Sequence, residues 1–185
     1  MCACLKIIEV FSPESAFQPA RVRYIDSVGW VIPLAQPTPL TSPMHYKVPE
    51  SALVVVYSKD QFLLLERSDR PGYWQSVTGS RDVHETIEQT AARELKEETG
   101  LTMADGVLIS TGRTHTYPIM DEWRHRFAPG VSENRETVFY FSMPQVCNVT
   151  LSEHIRYEWV SGEEAVGRVF SRTNREEIQR ILMTV

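Results

Sequence analysis

Cysteine is scarce in this sequence: Cys2, Cys4 and Cys147 are the only three. Three cysteines make no disulfide framework. Cys2 and Cys4 stand two apart, with no second pair to complete a tetrahedral zinc site. Free thiols in a reducing cytosol are the expectation, so the protein is expected to be cytoplasmic. Long apolar runs are also missing. No stretch of about 18 apolar residues occurs, so no membrane-spanning helix is expected. The first residues show no basic region followed by an apolar core, so no secretory signal is expected. There is no basic run, and the net charge is −5. Nucleic acid is therefore not the expected partner.

What remains is ordinary globular material. Of 185 residues, 42% are hydrophobic and 23% charged. That suffices for one domain with a full core and is too little for two. Proline is unevenly spread, because Pro13, Pro19, Pro33, Pro37, Pro39 and Pro43 put six of the eleven in residues 1–43. Proline lacks a donor and restricts the residue before it, so PLAQPTPLTSP reads as extended chain. Residues 1–43 are expected to be a loosely ordered extension, and residues 44–185 the folded domain.

Within that domain, residues 52–57 (ALVVVY) form a continuous apolar run, as a strand buried on both faces requires. A polar turn at 58–61 and a second apolar run at 62–66 make a hairpin that ends at Arg67. Further strands are expected at 74–78, 107–116, 136–143 and 157–160, with a long polar loop over 121–135. Ser161 with Glu164, and Thr173 with Glu176, are spaced as helix-starting capping boxes. In the last helix Ile178, Ile181 and Leu182 are expected to face the core. Strands with two or three helices predict an α/β (α+β) fold, an α/β/α sandwich with a mixed central sheet.

The chain's chemistry gathers in residues 79–101, GSRDVHETIEQTAARELKEETGL. Thr86 followed by Gln89 is a capping box, so a helix should start there. Gly100 supplies the left-handed residue that ends it. Ile87, Ala91 and Leu95 repeat every four residues as the buried stripe. Glu94, Glu97 and Glu98 fall within an arc of roughly 100° on one face. Like charges so close disfavour a bare helix. A hard divalent cation removes the repulsion, and oxygen-only ligands favour Mg2+ or Mn2+ over zinc.

Gly79, Glu85, Arg93, Glu94, Leu95, Glu97, Glu98, Gly100 and Leu101 match every defining position of the Nudix box. The stretch thus resembles the Nudix hydrolases, whose α/β/α architecture agrees with the fold expected from the elements. Trp74-Gln75-Ser76-Val77-Thr78-Gly79-Ser80 departs from the Trp-x-x-Pro-Gly-Gly that precedes many such boxes. It is similar instead to the bacterial dihydroneopterin triphosphate pyrophosphohydrolases. RHRFAPGV (124–131), SEHxxYxW (152–159) and SxTNR (171–175) extend that likeness. It runs from about residue 46 into the last helix and leaves residues 1–43 outside.

The resemblance implies a metal-dependent pyrophosphohydrolase of folate biosynthesis, acting on a small-molecule triphosphate. It places Glu153 as a metal ligand beside Glu94 and Glu98, Glu97 as ligand or base, and Glu85 as the group that orients Arg93. It also implies that Lys47, Arg67 and Thr78 line the substrate cleft. Arg67 could hold phosphate through its two-pronged guanidinium. Tyr117, Pro118, Ile119 and Met120 would flank a flat heterocycle, with Ser171 a further polar contact. Arg124 and Arg126 could instead brace their own loop. Two rival readings stand beside this one: a Nudix hydrolase of dinucleoside polyphosphates or RNA 5′ ends, and an inactive Nudix ligand-binding module.

Overall fold

The computed structural model describes residues 46–184. The expected extension over 1–43, with Cys2 and Cys4, lies outside the described residues. Among the described residues no helix is long and apolar enough to cross a membrane.

The expected hairpin forms from β1 (Glu50–Ser58) and β2 (Gln61–Arg67). They pair only beside the turn, at Tyr57 with Phe62 and Ser58 with Gln61. Beyond those pairs the two strands part. The chain returns along the edge of β2 as β3 (Trp74–Gln75), then crosses to the edge of β1 as β4 (Val77–Ser80). One strand was expected over 74–78, and the crossing at Ser76 divides it. Ser76 leaves the ladder there, and its backbone N–H is satisfied by Asn174 Oδ1 at 2.9 Å.

Helix α1 (Ile87–Thr99) starts and stops where the sequence predicts. Thr86 and Gln89 cap each other reciprocally, and Gly100 closes the helix at φ 76°. After it come β5 (Val107–Pro118), β6 (Glu133–Ser142) and β7 (His154–Ser161). The polar loop is shorter than expected: Asp121–Arg126 forms a 3-10 turn, and β6 begins at Glu133 rather than 136. β6 lies parallel to β1, whereas β5 on β6 and β7 on β2 are antiparallel. The result is a mixed seven-stranded sheet.

Alternation along β1 then decides the layers. Ala52, Val54 and Val56 join Ala91 and Leu95 of α1 in one cluster. Leu53 and Val55 join the second cluster, with α2 (Gly162–Arg168) and α3 (Arg172–Leu182) supplying Ala165, Ile178 and Ile181. Each fully buried Leu, Ile or Val contributes about 1.5–3 kcal/mol from the area it removes from water. The expected α/β/α sandwich with a mixed sheet is therefore the observed fold.

The C-terminal helices differ in detail from expectation. Ser161 caps α2, accepting from Glu164 N at 3.3 Å, but the Glu164 carboxylate is taken by Arg168 at 2.8 Å and does not return. α3 is capped by Ser171, not Thr173. Thr173 lies inside the helix because its hydroxyl is engaged by Glu136 at 2.8 Å. Leu182 is 39% exposed and is not a core residue.

Candidate active site

A cleft of about 800 Å3 opens where β1 and β2 part, lined from α1, the strand ends and the start of α3. It gathers all but one of the expected site residues. Glu94, Glu97, Glu98, Arg93 and Glu153 line it, as do Lys47, Arg67, Thr78, Tyr117, Pro118, Ile119, Met120 and Ser171. Glu85 is the exception and stands behind Arg93.

Arg93 organises the α1 wall. Its Nε and Nη2 donate to the two oxygens of Glu85 at 2.7 and 3.0 Å, and Nη2 also reaches Ser80 O at 3.1 Å. Its Nη1 donates to Glu94 at 2.8 Å and Glu97 at 2.9 Å. Glu85 accepts further from Thr90 Oγ1 at 3.0 Å. The Arg93 hydrogen bonds, with help from Thr90, hold the Glu85 carboxyl down at about 2. Arg93 is thereby locked to β4 and to the loop that enters α1.

Gly79 leaves room for the Glu94 carboxyl group. A Cβ there would collide with the Glu94 carboxyl group, which lies flat against β4. Burial raises the Glu94 carboxyl, with Arg93 opposing and the charges of Glu97 and Glu153 adding to the rise. Glu98 is only 4% exposed. Burial lifts its carboxyl well above the usual range, and the charges of Glu94 and Glu153 push the same way. Thr78 N, at 3.3 Å, is its hydrogen-bond donor.

Glu153 comes from a different element. Ser152 Oγ donates to Glu97 O at 2.6 Å, and Thr150 N to Thr99 O at 2.9 Å. These bonds pin the loop before β7 to the end of α1 and bring Glu153 to the carboxylates of Glu94 and Glu98. Among the described residues no three His, Cys, Asp or Glu side chains are already gathered at ligand distance. Glu94 is turned onto Arg93 instead. The donor set is all oxygen, and Glu98, buried and without an ion pair among the described residues, is the kind of group a divalent ion stabilises.

Further cations line the cleft. Lys47 is at the rim, its Nζ 3.4 Å from Ser80 Oγ. Crowding by the cleft walls lowers its pKa, as does Arg126, while Glu94, Glu153 and Asp82 oppose. Arg67 differs from expectation: its fork clasps Asp69 at 2.8 and 2.7 Å, and its remaining nitrogen holds Gln75 at 3.0 Å. Its guanidinium also lies 5.6 Å from the ring of Trp123. Arg124 braces its loop through Asp121 at 3.1 Å. Arg126 instead lines the cleft, and its carbonyl accepts from Lys47 N at 2.9 Å. His154 Nε2 is 3.3 Å from Gln75, in keeping with a hydrogen-bonded histidine.

The far end of the cleft holds residues that sequence reasoning passed over. Asn134 Nδ2 donates to Ser51 Oγ at 2.7 Å and to Tyr117 Oη at 3.0 Å. Tyr117 Oη donates to Glu136 at 3.4 Å, and burial pushes the phenol up to about 12. Asn174 is tied to Ser76 at 2.9 Å through both ends of its amide. Thr173 and Asn174 lie in the SxTNR stretch, and Trp123 directly precedes RHRFAPGV, so those signals were available. Ser51, Asn134 and Glu136 stand in strands and carry no local signal.

Comparison with known proteins identifies the family. The NUDIX domain family matches residues 47–182. The dihydroneopterin triphosphate diphosphatase of Escherichia coli (strain K12) is 39% identical over 142 residues, covering 75% of this chain and 95% of that protein. The Haemophilus influenzae protein of the same name is 36% identical over 146 residues, covering 77% of this chain and 92% of its own length. The solved structure of the E. coli dihydroneopterin triphosphate pyrophosphohydrolase superposes with a TM-score of 0.70 at 38% identity, covering 76% of this chain and 99% of that one. With the box helix, the sandwich and the cleft all in place, the chain belongs to the NUDIX domain family.

Proposed function

We propose that this chain is a divalent-metal-dependent pyrophosphohydrolase that converts dihydroneopterin triphosphate to its monophosphate and pyrophosphate. The observation that carries this reading is a single cleft with two unlike ends. One end is a wall of carboxylates with too few cations to neutralise it. The other is a set of buried polar side chains of the kind that fixes a heterocycle. Relatives at 36–39% identity bear the name of that substrate.

Glu94, Glu98 and Glu153 would hold the metal, Mg2+ by preference or Mn2+. A bound ion of this kind neutralises phosphate oxygens and makes a bound water more acidic. The protein's own groups do the rest. Arg93, locked by Glu85, fixes the rotamers of Glu94 and Glu97 on the cleft wall. Glu97, more exposed than Glu94 and held at 2.9 Å by Arg93, is the group on α1 best placed to take a proton or to join the ligand set. Lys47 and Arg67 face the phosphate chain, and an incoming phosphate competes with Asp69 for the Arg67 fork.

The test is a side-by-side kinetic comparison of dihydroneopterin triphosphate with GTP, ATP and diadenosine tetraphosphate, with and without chelator. The expected outcome is metal-dependent release of pyrophosphate. Efficiency on the pterin should be at least about tenfold above that on GTP or ATP, ~1.4 kcal/mol of transition-state preference. Equal or better efficiency on the dinucleotide would move the chain to the rival class. No turnover on any of them would make it a binding module.

A further inference from the structure

Among the described residues, Glu136 is the one buried carboxylate in the cleft that belongs neither to the α1 wall nor to the loop before β7. It is 5% exposed and lines the cleft. In the sheet it sits beside Ser51 of β1, two residues from the Leu53–Val138 pair. Side chains alternate along a strand, so Glu136 shares the α3 face with Leu53 and Val138. The box glutamates belong to the other face. Between them the register runs from Gly79 to Ala52 to Thr137, two strand spacings or roughly 10 Å. Both sets of carboxylates nonetheless line the same cleft.

Among the described residues the carboxylate takes two hydrogen bonds, from Thr173 Oγ1 at 2.8 Å and Tyr117 Oη at 3.4 Å. One goes to each oxygen. A carboxylate has about four acceptor sites, so one on each oxygen is left over. Leu53 and Ile119, 3% and 4% exposed, line the same cleft and offer apolar surface to a flat ring. Two free acceptor sites in a cleft with an apolar wall are the complement of a ring edge that carries two adjacent donors. That edge is a ring N–H next to an exocyclic amine, as in a 2-amino-4-oxopyrimidine. Burial raises the Glu136 carboxyl, with Thr173, His115 and Tyr117 opposing, and two further donors would act in the same direction as those three.

We propose that Glu136 is the specificity-determining residue of this site, accepting in bidentate fashion from the N–H and amine edge of a 2-amino-4-oxopyrimidine ring. The inference rests on the pyrophosphohydrolase reading above and adds the rule by which the ring is chosen. Dihydroneopterin and guanine both present that edge. Adenine presents one donor beside an acceptor and would set a ring nitrogen lone pair against the carboxylate. A site built to pair such donors rejects rings lacking them by as much as ~10⁴–10⁵.

The experiment is the kinetics of Glu136→Gln in the full chain on dihydroneopterin triphosphate, GTP and ATP, with kcat and KM separated. The amide keeps the shape but replaces one acceptor with a donor. On the two rings that carry the edge, kcat/KM should fall at least about 100-fold, mainly through KM. The loss on ATP should be at least about tenfold smaller. An equal loss on all three, or none on the first two, overturns the proposal. A second measurement uses the unaltered protein and is immune to misfolding of the variant. Free dihydroneopterin should inhibit at least about 30-fold more tightly than its analogue with oxygen in place of the 2-amino group. Equal inhibition overturns the proposal. The two readings fail separately. If the protein ignores dihydroneopterin triphosphate yet prefers GTP to ATP, and Glu136→Gln abolishes that preference, the substrate falls while the role of Glu136 stands.

Discussion

Glu98 and Glu177 are both buried glutamates, one on each side of the sheet, and their surroundings treat them in opposite ways. Glu177, on α3, is 0% exposed. It accepts from Arg113 at 2.7 and 3.0 Å, Tyr140 Oη at 2.8 Å and His115 Nε2 at 3.0 Å, with Arg180 at 3.5 Å. Burial alone would raise its carboxyl, but Arg113, Tyr140 and His115 outweigh it and hold it below the ordinary range. Glu98, on α1, has a backbone N–H at 3.3 Å and two other glutamates for company, with only the charge of Arg67 opposing theirs. A charge that is buried and fully paired holds structure together. One that is buried and left short of partners costs stability in the resting protein, and such costs concentrate where chemistry is done. On the function proposed above, the α1 side would be the reacting side and this part of the α3 side scaffold.

The largest effect is expected from Glu98→Gln. The amide keeps the volume and the Thr78 contact but removes the charge that would face a metal. Turnover is expected to fall by about 10³-fold, ~4 kcal/mol on the barrier. Thermal stability without metal should hold or rise, since desolvation and repulsion from Glu94 and Glu153 are both relieved. A calorimetric scan beside an activity assay checks both. Turnover near that of the unaltered protein, or a clear drop in Tm, would make Glu98 another Glu177.

The converse test is Glu177→Ala, which leaves Arg113, His115 and Tyr140 facing a hole. Breaking a buried pair in this way costs about 3–5 kcal/mol. Urea unfolding should register that loss, while kcat of the protein that remains folded should change far less. The pH dependence should separate the two glutamates as well. Glu177 and Glu85 have lowered pKa values in the folded protein, so their stabilisation is present above the ordinary value of 4.5. It is lost as pH falls through the folded values, and for Glu85 that window runs from 4.5 down to about 2. Glu98 has a raised pKa, so its relative contribution is present below 4.5 and is lost as pH rises through its folded value. Replacing Glu177 should therefore flatten the acid limb of the stability curve, whereas replacing Glu98 should lift the neutral limb in metal-free buffer.

Only one of the two glutamates could be read from the sequence. Glu98 is set by local spacing: a capping box at Thr86, a terminating Gly100 and a stripe at Ile87, Ala91 and Leu95 fix the helix phase. That phase places Glu94, Glu97 and Glu98 on one face. Double-sided burial of β1 was equally legible, since ALVVVY admits no polar face. Glu177 gave no such signal, because its partners come from β5 and β6 and depend on strand register. Glu136 was hidden for the same reason, as its site exists only once β6 lies parallel to β1. The error at the start of α3 has a related cause. Ser171 and Thr173 are both competent caps, and the buried Glu136 carboxylate draws Thr173 into its own hydrogen bond. The Asp69 partner of the Arg67 fork, two residues on, was not foreseen, because spacing alone does not show which way either side chain turns.

Both glutamate environments are built from residues of the Nudix domain. Every hydrogen-bonding or charged partner named above for Glu98 and Glu177 lies between residues 67 and 180. The family match spans 47–182, and 142 residues of this chain account for 95% of the E. coli relative. A chain beginning at Met44 is therefore expected to unfold cooperatively and to keep kcat/KM within about threefold, ~0.6 kcal/mol. This is the smallest effect of the series and the most demanding on the domain boundary. Lys47 lies only three residues beyond the new start, so a selective rise in KM with an unchanged Tm would place the extension's influence at the phosphate rim. Loss of the cooperative transition would instead make residues 1–43 part of the folding unit, and the domain would have to be drawn to include them.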